Sequence, residues 1–367
     1  MQTTAAIADG FGRFRIEPIE VALPKSDEVL VKLEAAGICH TDHASMSWKR
    51  PLVMGHEGAG IVCETGAGVT HVKPGDRVVL NWCIPCGRCF QCDRGDTVLC
   101  ESSKPAHIMK PSQGHAHAQG TLLRGHPVDR SFNLGTLAGL TLVRKEAVTP
   151  IPSNVSFAAA AISGCGVMTG FGSVVNIARI QAGESVVVMG CGGVGLNIIQ
   201  SARIARARKI IAIDSNPSAL ERAWQFGASD TIAPDQGDAE FSGLADRVRY
   251  LTEGRGADYA FEATSCARLA FVPLLLIRDG GTALQVSGIN ENVNVPMPWF
   301  MWNKHYITPL YGGCQPARDF PKMFEHYSKG ELKLNELITR TYALEQMGDA
   351  IDDMMAGRNA KGVILFE

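Results

Sequence analysis

A chain of 367 residues is long enough for two domains and a substantial core. Its 46% hydrophobic and 20% charged residues are ordinary for a globular protein, and a formal charge of −2 leaves no footprint for nucleic acid or an anionic membrane surface. No stretch approaches the roughly 20 apolar residues of a membrane span. Asp9, Arg13, Arg15 and Glu17 interrupt any signal-like run at the N-terminus, so a cytoplasmic protein is expected.

Along the chain, residues 29–33 alternate as a strand does and run to a turn at Gly37, with Cys39 just beyond it. A second strand, 60–64, follows His56 and Glu57. Lys73-Pro74-Gly75-Asp76 then marks a tight turn before a strand at 77–80. Short strands between Gly/Pro turns predict a β-rich module carrying its ligands at strand ends and in loops. Eleven cysteines are present, five of them within 83–100. In a reducing compartment such crowding points to metal rather than disulfides.

Cys86, Cys89, Cys92 and Cys100 read C-x2-C-x2-C-x7-C, and four thiolates suit a closed tetrahedral zinc. Cys83 competes for a seat in that set. A run at strict three-residue spacing would have to wrap tightly round one ion, whereas the seven-residue gap gives the last ligand room, which favours Cys100. Cys39, His56 and Cys165 are gathered from distant positions, two thiolates and an imidazole, and suit a second kind of zinc site that keeps one position open. His107, His115, His117 and His126 fall in a polar stretch with no Cys or carboxylate to complete a site, and read as solvated loop.

From residue 184 the pattern changes to an apolar strand, 185–189, followed by Gly190-Cys191-Gly192-Gly193-Val194-Gly195 and a helical stretch, 196–205. This fits G-x-G-x-x-G in its strand-to-helix context. Gly190 serves the turn, Gly192 the approach of backbone to pyrophosphate, and Gly195 the close packing of helix on strand. A second strand, 209–213, ends in Asp214, 19 residues beyond the last glycine. A carboxylate there accepts from the adenosine ribose hydroxyl and repels a 2′-phosphate, which selects NAD over NADP. Strands at 257–262 and 282–286 with a helix at 267–277 between them continue a doubly wound sheet. Past about residue 308 the rhythm stops, and helical stretches at 320–327 and 344–355 belong to a tail expected to fold back onto the first domain.

These motifs together resemble the zinc-dependent alcohol dehydrogenases of the medium-chain dehydrogenase/reductase family, over essentially the whole chain. The resemblance implies an α/β protein with a GroES-like catalytic domain, 1–166, a Rossmann NAD-binding domain, 167–308, and a return segment, 309–367, with the active site in the cleft between the domains. It implies a catalytic zinc on Cys39, His56 and Cys165, a structural zinc on the four clustered cysteines, and NAD on the glycine loop with Gly193 and Val194 at the helix start. Glu57 matches the acid behind the metal, Asp42 the carboxylate that orients the ligand histidine, and Thr41 the hydroxyl that bonds the alcohol oxygen. His40 and Lys361 fall where basic groups approach the pyrophosphate. The family often ends its proton relay with a histidine three residues past Thr41; here that residue is Ala44, leaving His43 or solvent to serve.

The implied reaction is reversible oxidation of a primary alcohol, aryl or allylic if Trp48, Trp299, Phe300 and Trp302 line the pocket, although core or interface packing would equally account for them. Two alternatives stand beside it: a formaldehyde dehydrogenase using glutathione or mycothiol, and a zinc- and NAD-binding protein without turnover. Lys104 replaces the arginine expected of the glutathione type, and a lysine offers a point charge rather than a fork. Cys63, Cys191, Cys266 and Cys314 read as structural thiols. Small-molecule substrates are expected rather than nucleic acid or membrane. In relatives the region 295–310 supplies subunit contacts, and the long interval between Cys100 and Cys165 favours a homodimer.

Overall fold

The computed structural model describes residues 1–103, 120–235 and 237–366. Lys104, His107, His115 and His117 lie outside them. The chain divides into two compact units, one of Met1–Gly166 with Cys314–Gly330 and Leu334–Glu367, the other of Val167–Gly313 with Glu331–Lys333.

The first unit is built from two β-sheets. One contains Phe14–Val21 paired antiparallel with Gln2–Ala8, and the other is centred on Glu28–Gly37. Glu28–Gly37 is buried along nearly its whole length because it has neighbours on both sides, Glu57–Thr65 and the tail strand Lys361–Leu365, while Leu140–Arg144 covers its first half. The tail strand joins through Val363 opposite Gly37 and Leu365 opposite Ala35. Register irregularities on the Glu57–Thr65 side, between Leu30 and Val31 and between Leu33 and Ala35, bend the strand as bulges do. Gly37 pairs with Glu57. Cys39, two residues past one, and His56, one residue before the other, therefore leave the sheet at the same end.

The second unit is a six-stranded parallel sheet in the order Asp230–Ile232, Lys209–Ile213, Ser185–Met189, Ala257–Glu262, Ile277–Gln285, His305–Ile307. Numbered along the chain this is 3-2-1-4-5-6, the doubly wound arrangement. Strands 185–189 and 209–213 are continuous apolar runs because helices cover the sheet. The helix Pro217–Phe226 shows how local chemistry sets its bounds. Asn216 caps it by accepting from Ser218 N at 3.0 Å, Pro217 opens it where no intrahelical donor is needed, and Gly227 ends it at φ 115°.

Two expectations need correction. The helix predicted over 267–277 is a helical run, Ala267–Leu276, made of a 3₁₀ turn, Ala267–Leu269, and an α-turn, Pro273–Leu276, with Ile277 already in the next strand. Pro273 opens the α-turn at its first position, where its missing N–H costs nothing, and Val272 before it keeps helical angles, φ −56° and ψ −34°. The expectation of no apolar run near membrane length also fails: the helical run Phe157–Ala178 is 22 residues long and apolar enough to qualify. Its residues are mostly buried in the protein, which is how a core helix comes to have that composition.

Candidate active site

Cys39 is the N-cap of the short helix His40–Ser45. Asp42, fully buried on that helix, turns its carboxylate back: Oδ2 accepts from Cys39 N at 2.9 Å and Oδ1 lies 2.9 Å from His56 Nδ1. With Nδ1 committed as donor to Asp42, the lone pair of His56 is on Nε2. That atom is buried and without a hydrogen-bond partner.

Cys165 arrives on a π-turn, Ser163–Val167, set between the α-helical turns Phe157–Ile162 and Met168–Gly172. Such turns insert an extra residue and re-aim a side chain. The ligand atoms of Cys39, His56, Glu57 and Cys165 all lie within 4.8 Å of one another. The hydrogen bond between the Cys39 and Cys165 thiols holds Cys39 well below the ordinary thiol value and pushes Cys165 well above it. Two sulfurs and an unpartnered imidazole nitrogen form a donor set that fits zinc, with three protein ligands and room for a fourth group.

Glu57 is fully buried, and burial raises its carboxyl to about 7 while Lys361 pulls the other way. Lys361 Nζ lies 2.7 Å from Glu57 Oε2 and 2.8 Å from Oε1, and donates to the Ile38 carbonyl at 2.9 Å. Its own pKa is raised: burial works against the charge, but Glu57 outweighs it. Lys361 thus lies buried beside Glu57 and the Cys39 turn. Gly37 has to be glycine here, because a Cβ would collide with the Glu57 carboxylate. Thr41 Oγ1 is 3.8 Å from Cys39 Sγ. His40 and His43 are both exposed.

The second cluster brings together Cys86, Cys89, Cys92 and Cys100, again within 4.8 Å. Backbone amides point at the sulfurs: Cys86 N donates to Cys100 Sγ at 3.2 Å, and amides of Glu101 and Cys92 lower Cys89 to about 6. Cys83 lies apart from this set. It is buried, its thiol donates to the Cys314 carbonyl at 3.6 Å, and burial raises it to about 12. Cys191 and Cys314 are likewise buried thiols, whereas Cys266 is exposed, against its reading as a packed structural residue.

In the parallel-sheet unit Gly190 turns at φ 91°, and Gly192 is the N-cap of the helix Gly193–Ile204, whose first turn holds Val194 and Gly195. A Cβ on Gly195 would strike the Gly190 carbonyl, whereas one on Gly192 would meet nothing within 4 Å. That open backbone at a helix N-terminus fits a pyrophosphate. Asp214 accepts from Cys191 N at 2.7 Å and from Asn216 N at 2.8 Å, which fixes its carboxylate beside the glycine loop.

Trp48, a candidate from the sequence, stands with two rings that carried no signal there, Trp82 and Phe132. The Phe132 ring stands 4.9 Å from the His56 imidazole, 5.3 Å from Trp82 and 6.1 Å from Trp48. Phe132 and Asn133 both have positive φ, as does Gly135, and for Phe132 that conformation is unusual. Of the other aromatic candidates, Trp299 and Phe300 pack on the core of the parallel sheet and Trp302 is exposed.

Comparison with known proteins places these features. Residues 25–153 match the alcohol dehydrogenase GroES-like domain, and residues 193–329 match the zinc-binding dehydrogenase family. The chain belongs to the zinc-dependent alcohol dehydrogenases of the medium-chain dehydrogenase/reductase family, with the GroES-like plus Rossmann architecture expected of it. It is an NAD-dependent oxidoreductase acting on CH–OH groups, with zinc and NAD as cofactors. Among its relatives are S-(hydroxymethyl)glutathione dehydrogenases of Photobacterium damsela subsp. piscicida, 34% identical, and of Escherichia coli O1:K1 / APEC, 33% identical, each aligned over 100% of both chains. Similar solved structures include an alcohol dehydrogenase zinc-binding domain protein from Burkholderia ambifaria, with TM-score 0.91 and 29% identity over 100% of this chain and 99% of that one. Benzyl alcohol dehydrogenase from Acinetobacter calcoaceticus superposes with TM-score 0.88 and 26% identity over 100% of both chains.

Proposed function

We propose that the protein oxidises a primary alcohol, aryl or allylic, to the aldehyde with reversible hydride transfer to NAD. The observation that carries this is the ring set Trp48, Trp82 and Phe132 beside His56, a lining suited to a flat apolar substrate. The likeness to a benzyl alcohol dehydrogenase supports it. In this reading Cys39, His56 and Cys165 hold the catalytic zinc, and Cys86, Cys89, Cys92 and Cys100 hold the structural one. The bound metal supplies Lewis acidity and the dinucleotide accepts the hydride. Asp42 keeps the His56 tautomer, Thr41 Oγ1 holds the substrate hydroxyl proton, and His43, exposed on the same helix, passes it to water. Gly190, Gly192, Gly193, Val194, Gly195 and Asp214 hold the cofactor. Glu57 and Lys361 neutralise each other beside the ligands.

A second reading, oxidation of the adduct of formaldehyde with glutathione or mycothiol, is favoured by the names of the 33–34% identical relatives. NADH formation decides between them. Turnover on benzyl and cinnamyl alcohols supports the first; activity only when formaldehyde and a thiol are both supplied moves the protein to the second. A homodimer is part of the proposal, supported by exposed apolar residues at the sheet edge near His305–Ile307. So is a cytoplasmic location, supported by eleven cysteines free of disulfides.

A further inference from the structure

Glu262 is a fully buried carboxylate that the chemistry above does not use. It ends the strand Ala257–Glu262, and its register partners are Met189, one residue before the glycine turn, and Gln285. In a 3-2-1-4-5-6 sheet this is the point where strand order reverses, and ligands bind outside the carboxyl ends there. The carboxylate gathers two loops. Oε1 accepts from Thr264 N and Thr264 Oγ1, both at 2.6 Å, and from Ser265 N at 3.1 Å, while Oε2 accepts from Ser287 Oγ. Ser287 Oγ accepts in turn from Ser265 N at 3.0 Å, and the Glu262 carbonyl takes Val286 N at 2.9 Å. Ser265 is held at φ 60°, a conformation unusual for a residue with a side chain. The loop so fixed is the wall of the cofactor turn: Ala263 N donates to Met189 O at 2.8 Å, and a Cβ on Gly190 would come within 2.8 Å of the Ala263 carbonyl and 2.9 Å of the Thr264 methyl.

We infer that Glu262 is a positioning residue for the nicotinamide half of the dinucleotide, acting by freezing loops 263–265 and 286–287 at the switch point. Asp214, at the end of the second strand, lies on the adenosine side. Glu262 is on the fourth strand, on the other side of the reversal. A loop prepaid in its bound shape adds affinity only for the part of the ligand that lies against it. The inference rests on the dinucleotide reading of the glycine loop.

The test is binding, without turnover. NADH is titrated by its fluorescence and ADP, which lacks the nicotinamide base and its ribose, by calorimetry, against wild type, Glu262→Ala, Glu262→Gln and Ser287→Ala. Glu262→Ala is expected to weaken NADH about tenfold or more while ADP stays within about twofold. Glu262→Gln should recover most of the loss, because its carbonyl oxygen can take the three Oε1 donors and its amide can face Ser287 Oγ. Ser287→Ala, a milder change that keeps the buried carboxylate, should show the same selectivity at about threefold. Equal losses for both ligands, or none in either variant, would overturn the positioning role. Failure of the wild type to bind either ligand would sink the dinucleotide site itself, and this inference with it.

Discussion

Asp42 carries two acceptances on one buried carboxylate, from Cys39 N and from His56 Nδ1, and so couples the turn that presents one proposed metal ligand to the tautomer of another. Asp42→Asn can keep only one of the two, because an amide brings a donor where both positions need an acceptor. The expected result is a loss of about 10–100-fold in kcat/KM, with part of the zinc lost on dialysis, measured by metal analysis alongside steady-state kinetics. The structural cluster gives a sharper comparison. Cys100→Ser should remove one zinc per chain, whereas Cys83→Ser should leave the metal content unchanged, since Cys83 Sγ is turned to the Cys314 carbonyl. Loss of zinc in the Cys83 variant instead would reverse the assignment. In the aromatic set, Phe132→Ala should lower kcat/KM for benzyl alcohol relative to ethanol by about tenfold, the worth of one ring contact. At this scale the four cysteines were readable from their spacing, whereas Cys39, His56 and Cys165, far apart in the chain, came from residue type and the family resemblance; the ligand atoms of each group gather within 4.8 Å. The sequence was silent on Phe132, which reaches His56 through an unusual backbone turn, and it did not show that Lys361 would spend its charge on Glu57.

Strand ends and helix breaks show what held at the level of elements. The strand at 185–189, its glycine turn and the following helix were legible because apolar runs, glycines and a carboxylate recur at fixed offsets. The π-turn under Cys165 and the 3₁₀ start of the run at 267–276 were not, because the apolar pattern of a helix does not distinguish α from π or 3₁₀ turns. At the amino ends of the sheet, Asp258 joins three adjacent strands. It accepts from Ser185 N and Ser185 Oγ, both at 2.7 Å, and from Arg278 Nε at 2.6 Å. Burial opposes its charge, but the Arg278 and Ser185 hydrogen bonds prevail and hold its carboxyl below the ordinary aspartate value. A depressed folded pKa contributes stability that is full above the unfolded pKa and is lost as pH falls through the folded one. Asp258→Asn should therefore cost about 1–2 kcal/mol at pH 7, the partly exposed Arg278 being screened by solvent. In urea unfolding the gap to wild type should hold down to about pH 4 and close below it. A gap that widened on acidification would contradict the assignment.

For the molecule as a whole, the parallel sheet ends in a three-residue edge strand, His305–Ile307, on a stretch that exposes large apolar side chains. Met297 is 71% exposed, Trp302 68%, Met301 51%, Leu310 46% and Ile307 39%. Isolated exposed apolar residues need no explanation, but five within 14 positions beside an open strand edge do. Trp302 and Asn303 also take positive φ, and the Trp302 carbonyl accepts from Gly280 N at 2.8 Å, so this stretch is tied to the sheet rather than loose. A second copy of the chain presenting the same edge would cover both the side chains and the unpaired backbone groups in one closed two-fold contact. Light scattering on the purified protein should then give about 79 kDa, twice the 39.4 kDa of one chain. Trp302→Glu combined with Ile307→Lys places charge in the middle of that contact and should shift the mass to the single-chain value with both zincs retained. A wild-type protein that runs as a monomer would remove the dimer from the proposal, and a double variant that stays dimeric would move the interface to another face.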